Sequence, residues 1–237
     1  HLLKAANVPV AVWCVDNPFH LLCGLKSPFW KDALLFISDE WFKQALRNQG
    51  ANYVFHLPLG TSPRLFQSTK PQSFSSLNDK IVFVGRSAFP KKQGFFAASK
   101  VEDSLLKKAS AILSSGIRPD FEWWLKALGL ETLWPGQQVR QAGLGAESTS
   151  QMWRTYCLRY CADFAKLTVY GDKNWSKLLP QEVELKNEVD YYGPLADIYK
   201  SAAFNVNLTS MLLPRGLTQR HFDVFSVKGF LLTDFTR

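Results

Sequence analysis

The sequence predicts an α/β protein built on parallel sheets. Short apolar runs of β-forming residues end in polar, turn-prone residues, these runs alternate with helical patterns, and the connections between them are short. Strands that are apolar throughout are buried on both faces, as in parallel sheets covered by crossover helices. A chain of 237 residues, 46% of them hydrophobic, is large enough for one big domain or two small ones.

The N-terminal part reads as a strand, helix, strand unit. Its three predicted strands are rich in β-branched and aromatic residues: Val8–Val15, Ala33–Ile37 and Tyr53–Leu57. Ser38 or Asp39 can cap a helix from Glu40 to Asn48, which Gly50 ends. Such a unit with short connections favours a doubly wound parallel sheet.

A polar stretch, 67–79, separates this unit from a second one. It has little apolar periodicity, which is typical of an interdomain linker. We therefore expect a first domain at 1–68, a linker at 69–79 and a second domain at 80–237. Because His1 is not a start residue and the last predicted strand ends close to Arg237, we expect both domains to be incomplete and the natural protein to be longer.

The second domain should open with the strand Lys80–Val84 and carry a helical insertion at about 101–164. We interpret Trp123 and Trp124 within it as core residues rather than a sugar-stacking platform. Further on, Val189–Tyr192 leads to the turn Gly193-Pro194. The remaining predicted elements alternate: strands at Leu167–Tyr170, Phe204–Leu208 and Gly229–Thr233, and helices at Leu195–Ala202 and Thr218–Lys228.

The net charge of +8 and pI near 9.3 indicate an anionic partner. Charge alone does not choose between a nucleic acid, a membrane surface and a phosphorylated small molecule, but no basic run reaches five residues, which argues against a nucleic acid. No apolar run has membrane-spanning length and no signal-peptide pattern is visible, so we expect no membrane span and a cytoplasmic location. The four cysteines, of which Cys157 and Cys161 share a predicted helix, are interpreted as free thiols rather than a metal site.

Ligands of open parallel sheets bind beyond the carboxyl ends of the strands. The predicted edge carries glycines, polar residues and basic residues suited to a phosphorylated ligand: Gly85, Arg86, Lys91, Gly171, Asp172, Gly193, Thr209 and Ser210. The turn Arg215-Gly216-Leu217-Thr218 adds a glycine, the free amides of a first helical turn and two arginines, Arg215 and Arg220. Unpaired amides and the helix dipole both favour an anion there.

Asp223 lies three residues after Arg220 on the same predicted helix. A carboxylate beside a phosphate site can accept hydrogen bonds from ribose hydroxyl groups while the arginine neutralises the phosphate. The alternative is an ordinary surface ion pair on an amphipathic helix.

The later part of the chain resembles a known family. The motifs of its C-terminal half look like the C-terminal domain of GT-B glycosyltransferases, and more narrowly like the CgeB-type, spore-maturation-like group: Tyr192-Gly193-Pro194-Leu195, Ile198–Ala202, Phe204–Leu208, Arg220–Val224 and Gly229–Asp234. Upstream motifs look like the later half of that group's N-terminal domain: Trp13–Pro18, Ser38-Asp39-Glu40 and Leu57–Thr61. The resemblance implies a GT-B-like fold in which two Rossmann-like domains face a cleft.

The resemblance also implies a nucleotide-sugar donor, used as a substrate and not as a cofactor, with its diphosphate at Gly216 to Arg220 and its ribose at Asp223. Two departures from the family pattern stand out. Glutamate is commoner where Asp223 stands, and Gly216 occupies the place of a second carboxylate. No Asp-x-Asp metal motif is visible, and such enzymes generally stabilise the leaving diphosphate with basic residues and helix dipoles.

The acceptor should bind on the N-terminal half. Asp16 and His20 are the candidate bases, with turn or capping roles as the alternative. The hypothesis is a glycosyltransferase that moves a sugar from a UDP-sugar to an unknown acceptor, with Arg220 stabilising the departing phosphate. The alternatives are a non-catalytic sugar-nucleotide-binding or assembly protein of the same fold, and a basic nucleic-acid-binding protein.

Overall fold

Residues 2–67, 71–96 and 98–236 are described by the computed structural model, and they form two parallel sheets. The N-terminal sheet has the order β1-β2-β3, all parallel. Its strands are β1 (Ala11–Cys14), β2 (Leu34–Ile37) and β3 (Tyr53–His56), and its helices are α1 (Leu2–Ala5), α2 (Pro18–Leu22), a 3₁₀ turn (Pro28–Asp32) and α3 (Trp41–Asn48). Buried Leu35, Ile37 and Val54 face the helices that cover one side of this sheet.

The C-terminal sheet has five parallel strands in the order β6-β5-β4-β7-β8. Its strands are β4 (Ile81–Val84), β5 (Leu167–Tyr170), β6 (Glu184–Lys186), β7 (Phe204–Asn207) and β8 (Leu231–Thr233). The associated helices are a 3₁₀ turn (Ser75–Leu77), α4 (Lys92–Phe95), α5 (Asp103–Ser114), α6 (Phe121–Ala127), α7 (Val139–Phe164), α8 (Trp175–Leu178), α9 (Leu195–Ser201) and α10 (Gln219–Ser226). The predicted α/β class with two parallel sheets is confirmed.

Several bounds differ from the sequence prediction: β1, β7 and α10 are shorter than predicted, and β6 and β8 differ for reasons that the structure shows. The edge strand β6 was missed because Glu184-Leu185-Lys186 is mostly charged, and charged residues are common on exposed sheet edges. The strand predicted from Gly229 begins only at Leu231, since the Gly229 amide bonds to the carbonyl of Val224 and closes the end of α10. Apolar composition alone does not distinguish a helix-terminating turn from a strand start.

The predicted linker is docked rather than loose in its described part, 71–79; Thr69 and Lys70 lie outside the described residues. The amide of Gln72 bonds to the carboxylate of Asp197 at 2.9 Å. Leu77 is buried beside Val82 and Ile198 in the core of the C-terminal sheet. The segment therefore packs as part of that half of the molecule.

The long helix α7 joins the two halves. It has 26 residues, a length of about 39 Å. Its N-terminal half contributes Val139, Ala142 and Ala146 to the core beneath the N-terminal sheet, whereas Leu158 lies in the core of the C-terminal sheet. The helical insertion at 101–164 thus completes the hydrophobic core of the N-terminal half.

Gly145 allows α7 to approach α6 closely. A methyl group at this position would lie 2.3–2.6 Å from three indole atoms of Trp124, which is fully buried. We expect Gly145→Ala to lower the free energy of unfolding by about 2 kcal/mol, because the overpacked ring must move. Chemical denaturation can measure this, with Gly94→Ala as the control, since nothing lies within 4 Å of a methyl group there. Equal losses in the two variants would contradict the packing argument.

The tryptophans and cysteines have structural roles. Trp124 is fully buried and Trp123 packs against the same core, as the core interpretation predicts. All four cysteines are free: Cys14 and Cys23 are buried, and Cys157 and Cys161 are half-buried. Burial raises the pKa of Cys157 to about 12, which keeps its thiol protonated. Within the described ranges, no helix combines the length and apolarity needed to cross a membrane.

Candidate functional site

The carboxyl ends of the strands of the two sheets meet through one loop, 208–218, which follows β7. Three hydrogen bonds connect the N-terminal half to this loop and to the start of α10: Asn17 Nδ2 to Leu212 O at 3.4 Å, Arg215 N to Asp39 Oδ2 at 2.9 Å, and Gln219 Nε2 to Gly60 O. Apolar residues at its centre are buried in the N-terminal core: Met211, Leu212 and Leu213. The predicted ligand-binding edge is therefore shared by both halves.

Arg220 occupies the switch point of the C-terminal sheet. The chain leaves β4 toward β5 on one side and leaves β7 toward β8 on the other, so a crevice forms between the ends of β4 and β7. The Arg220 guanidinium lies there: Nη1 donates to Asn207 Oδ1 and Nη2 to Val84 O, with the group 5.4 Å from the centre of the Phe83 ring. Its Nε is buried without a hydrogen-bond partner among the described residues. Arg220 thus brings positive charge to the place where parallel sheets bind ligands.

The turn before α10 is already in contact with a carboxyl group of the protein itself, that of Asp39. The carboxylate of Asp39 accepts hydrogen bonds from the amides of Arg215 and Trp41, both at 2.9 Å. A methyl group on Gly216 would lie 2.9 Å from Asp39 Cβ, so glycine is needed for this approach. Burial raises the pKa of Asp39, and amide donors, including that of Gly216, oppose this effect. The close approach predicted at Gly216 is thus made by a protein carboxylate.

Thr218 begins α10 with a capping box. Its amide donates to Nδ1 of His221 at 3.1 Å, and its hydroxyl group donates to Asn207 Oδ1 at 2.9 Å. Because Asn207 Oδ1 also accepts from Arg220, one amide oxygen at the end of β7 fixes both the helix start and the guanidinium. Leu217, next to this cap, is exposed, as is Arg215. The turn therefore faces solvent on one side and Asp39 on the other.

Asp223, the predicted ribose acceptor, lies one helical turn beyond Gln219 and is 2% exposed. Its Oδ1 accepts hydrogen bonds from the hydroxyl group of Tyr191 at 2.9 Å and from Gln219 Nε2 at 3.2 Å. Oδ1 of Asp223 therefore already accepts hydrogen bonds from two donors of the protein itself. The alternative of a surface ion pair with Arg220 does not occur, since Asp223 is buried and the two side chains have different partners.

The loop after β4 is held by neighbouring loops. Gly171 passes so close to Gly85 that a methyl group on it would lie 2.3 Å from the Gly85 carbonyl oxygen. Arg86 is exposed and forms a two-pronged ion pair with Glu188, at 2.9 and 3.3 Å. Lys91 is exposed and has a left-handed backbone. Gly85 and Gly171 therefore have a packing role, and Arg86 has a carboxylate partner on the protein.

Two further predicted residues lie in local turns. The amide of Gly193 bonds to Asp190 O at 3.2 Å, and Ser210 Oγ accepts from the amide of Leu212 at 3.3 Å. Among the described residues, neither is hydrogen-bonded to Arg220 or Asp223. The structure thus groups Arg220, Asp223 and the turn at Arg215–Thr218 most closely.

The two acceptor-side candidates have different environments. Asp16 follows β1 and is exposed to solvent, although the protein around its carboxyl group desolvates it enough to raise its pKa. His20 is buried among the rings of Phe95, Phe96 and Phe121, and burial, aided by the charge of Arg140, lowers its pKa to about 4. Asp16 is thus accessible from solvent, whereas His20 is not.

Sequence reasoning missed the ion pairs that fix the edge of the C-terminal sheet. Arg118, before α6, pairs with Asp234 after β8, and Glu147 on α7 pairs with Arg154 at 3.0 Å. Glu147 also accepts from the amide of Phe89 at 2.8 Å, which anchors the loop after β4. The position of Asp234 directly after a strand was the available signal. In 2–67, 71–96 and 98–236, no group of three or more His, Cys, Asp and Glu residues could hold a metal ion.

The chain was compared with models of protein families, with curated proteins and with solved structures, and none of them matches it.

Proposed function

We propose that the chain is the donor-binding part of a GT-B-like glycosyltransferase, which transfers a sugar from a nucleotide diphosphate donor such as a UDP-sugar. The observation that carries this proposal is the position of Arg220. Its guanidinium lies in the crevice between β4 and β7, at the start of α10, where an anionic ligand gains from both the side chain and the helix dipole.

The facing strand ends support the same function. Loops after β1 and β2 meet the loop after β7, and the loop after β3 meets the start of α10, so a donor on the C-terminal half and an acceptor on the N-terminal half would lie side by side. Cleavage of the anomeric C–O bond leaves negative charge on the donor phosphate, which Arg220 would stabilise. Asp16 would accept the proton of the acceptor hydroxyl group, since a raised pKa makes a carboxylate a better base. Asp223 would bind the ribose.

Arg220→Ala is expected to weaken UDP binding roughly 10- to 100-fold, because charge-assisted hydrogen bonds to phosphate contribute about 1.5–3 kcal/mol. Uridine, which lacks phosphate, should lose little affinity. Isothermal titration calorimetry with UDP, GDP and uridine measures both effects.

Arg47→Ala is the matched control, because Arg47 is an exposed arginine in the last turn of α3. It should bind UDP as the unaltered protein does. Equal losses for UDP and uridine in Arg220→Ala would count against the phosphate role, and no binding of any nucleotide diphosphate by the unaltered protein would overturn the proposed function.

A further inference from the structure

Both parts of the proposed donor site are occupied by groups of the protein itself. The Asp39 carboxylate, which is fully buried, accepts the amide hydrogen of Arg215 in the turn before α10, as a donor phosphate would. The Tyr191 hydroxyl group and the Gln219 amide donate to Asp223, as ribose hydroxyl groups would. These are two independent contacts at two different subsites, and each satisfies the hydrogen-bonding groups that a nucleotide needs.

Both contacts are tied to the N-terminal half. Asp39 follows β2 and also accepts from the amide of Trp41 at the start of α3. Gln219 holds its position through the carbonyl oxygen of Gly60, which follows β3. The loops after β2 and β3 therefore carry or position the groups that fill the site.

We infer that the loops after β2 and β3 hold the donor site in a self-occupied state, in which Asp39 competes with the ligand's phosphate and Gln219 competes with its ribose. This inference rests on the proposed function. Binding is then an exchange of partners: the phosphate replaces Asp39 at the amides, and the ribose replaces Gln219 at Asp223. Because a buried carboxylate also repels a phosphate, Asp39 sets the larger part of the barrier to binding.

Asp39→Asn tests the phosphate part. Asparagine keeps an oxygen for the amide of Trp41 but has no charge, and a neutral acceptor holds amides more weakly than a carboxylate does. We expect pyrophosphate to bind about fivefold more tightly to this variant than to the unaltered protein. Glu40→Gln, which removes the charge of the adjacent exposed carboxylate, is the matched control and should change the affinity less than twofold.

Gln219→Ala tests the ribose part without altering Asp39. It frees Asp223 from one donor and releases the carbonyl oxygen of Gly60. Uridine should bind about threefold more tightly to this variant, because one internal donor no longer has to be displaced, while pyrophosphate affinity stays within about twofold. The expected result is therefore that Asp39→Asn raises the affinity for pyrophosphate and that Gln219→Ala raises the affinity for uridine.

Calorimetry of the three variants with pyrophosphate, uridine and UDP decides between the outcomes. Unchanged or weaker pyrophosphate binding by folded Asp39→Asn, with UDP still bound, would overturn the competition and leave the proposed function standing. If Asp39→Asn does not fold, Gln219→Ala decides: unchanged or weaker uridine binding by this variant would overturn the competition and leave the proposed function standing. If neither the unaltered protein nor any of the three variants binds UDP, both the proposed function and the self-occupied site are overturned.

Discussion

Arg118→Met is expected to lower the free energy of unfolding by about 3–5 kcal/mol. The guanidinium of Arg118 pairs with Asp234, and the two side chains are only 12% and 5% exposed. Asp234 also accepts from the amide of Thr209 at 2.8 Å and from Trp153 Nε1 at 3.1 Å, both neutral donors. Without Arg118 a buried carboxylate remains with no positive partner, and its desolvation is no longer offset.

Urea denaturation of the single and double variants measures this cost. Arg118→Met combined with Asp234→Asn should recover most of the lost stability, because no buried charge remains. Lys126→Ala, which breaks the largely exposed pair between Lys126 and Glu122 on α6, is the control and should cost less than about 0.5 kcal/mol. If Arg118→Met costs no more than this control, the buried pair does not hold the ends of β7 and β8.

His20 should make the protein less stable as the pH falls. Its pKa is about 4 in the folded protein against an ordinary 6.5, since burial disfavours the charged ring and Arg140 adds repulsion. Between pH 6.5 and pH 4 the unfolded chain binds a proton that the folded protein does not, so the free energy of unfolding falls through this window and levels off below it. The expected loss is about 2 kcal/mol by pH 5 and about 3 kcal/mol at its limit.

His20→Leu removes this effect, because leucine stays uncharged in the same cage of phenylalanine rings. As the pH drops from 7.5 to 5, the unaltered protein should lose unfolding free energy that His20→Leu does not lose. The stability of the variant relative to the unaltered protein should therefore rise. His56→Gln, which replaces an exposed histidine, is the control and is measured over the same pH range. A pH-independent difference for His20→Leu would show that the ring can take up a proton inside the folded protein.

Much of the C-terminal sheet could be predicted from the sequence because its strands are short, apolar and bounded by turn residues. Leu167–Tyr170 is fully buried and was predicted with its observed bounds. The strand at Phe204–Asn207 was predicted one residue too long. The strand β6 was missed because its residues are mostly charged, as is common at an exposed sheet edge, and lack the apolar pattern of a core strand. The helix α10 could be predicted from its cap at Thr218.

The candidate site could be predicted in part. The position of Arg220 beyond the strand ends follows from the alternation of strands and helices, since parallel strands place such residues at one edge. The distant partners of Asp39, Asp223 and His20 could not be predicted, because nothing local marks them. Arg215 is 176 positions from Asp39, Tyr191 is 32 positions from Asp223, and the phenylalanine rings around His20 come from other helices. The sequence around a polar residue that follows a strand looks the same whether its side chain contacts a ligand, another loop or the hydrophobic core.

The sequence by itself determined the α/β class, the two parallel sheets and the gathering of basic and glycine residues near the start of α10, since local periodicity and turn chemistry act over a few residues. Only the tertiary structure decided that α7 packs in both cores, that Gly216 makes room for Asp39, and that His20 is buried. These features depend on how closely distant segments approach. That approach is fixed by packing between segments, and no local pattern in the chain records it.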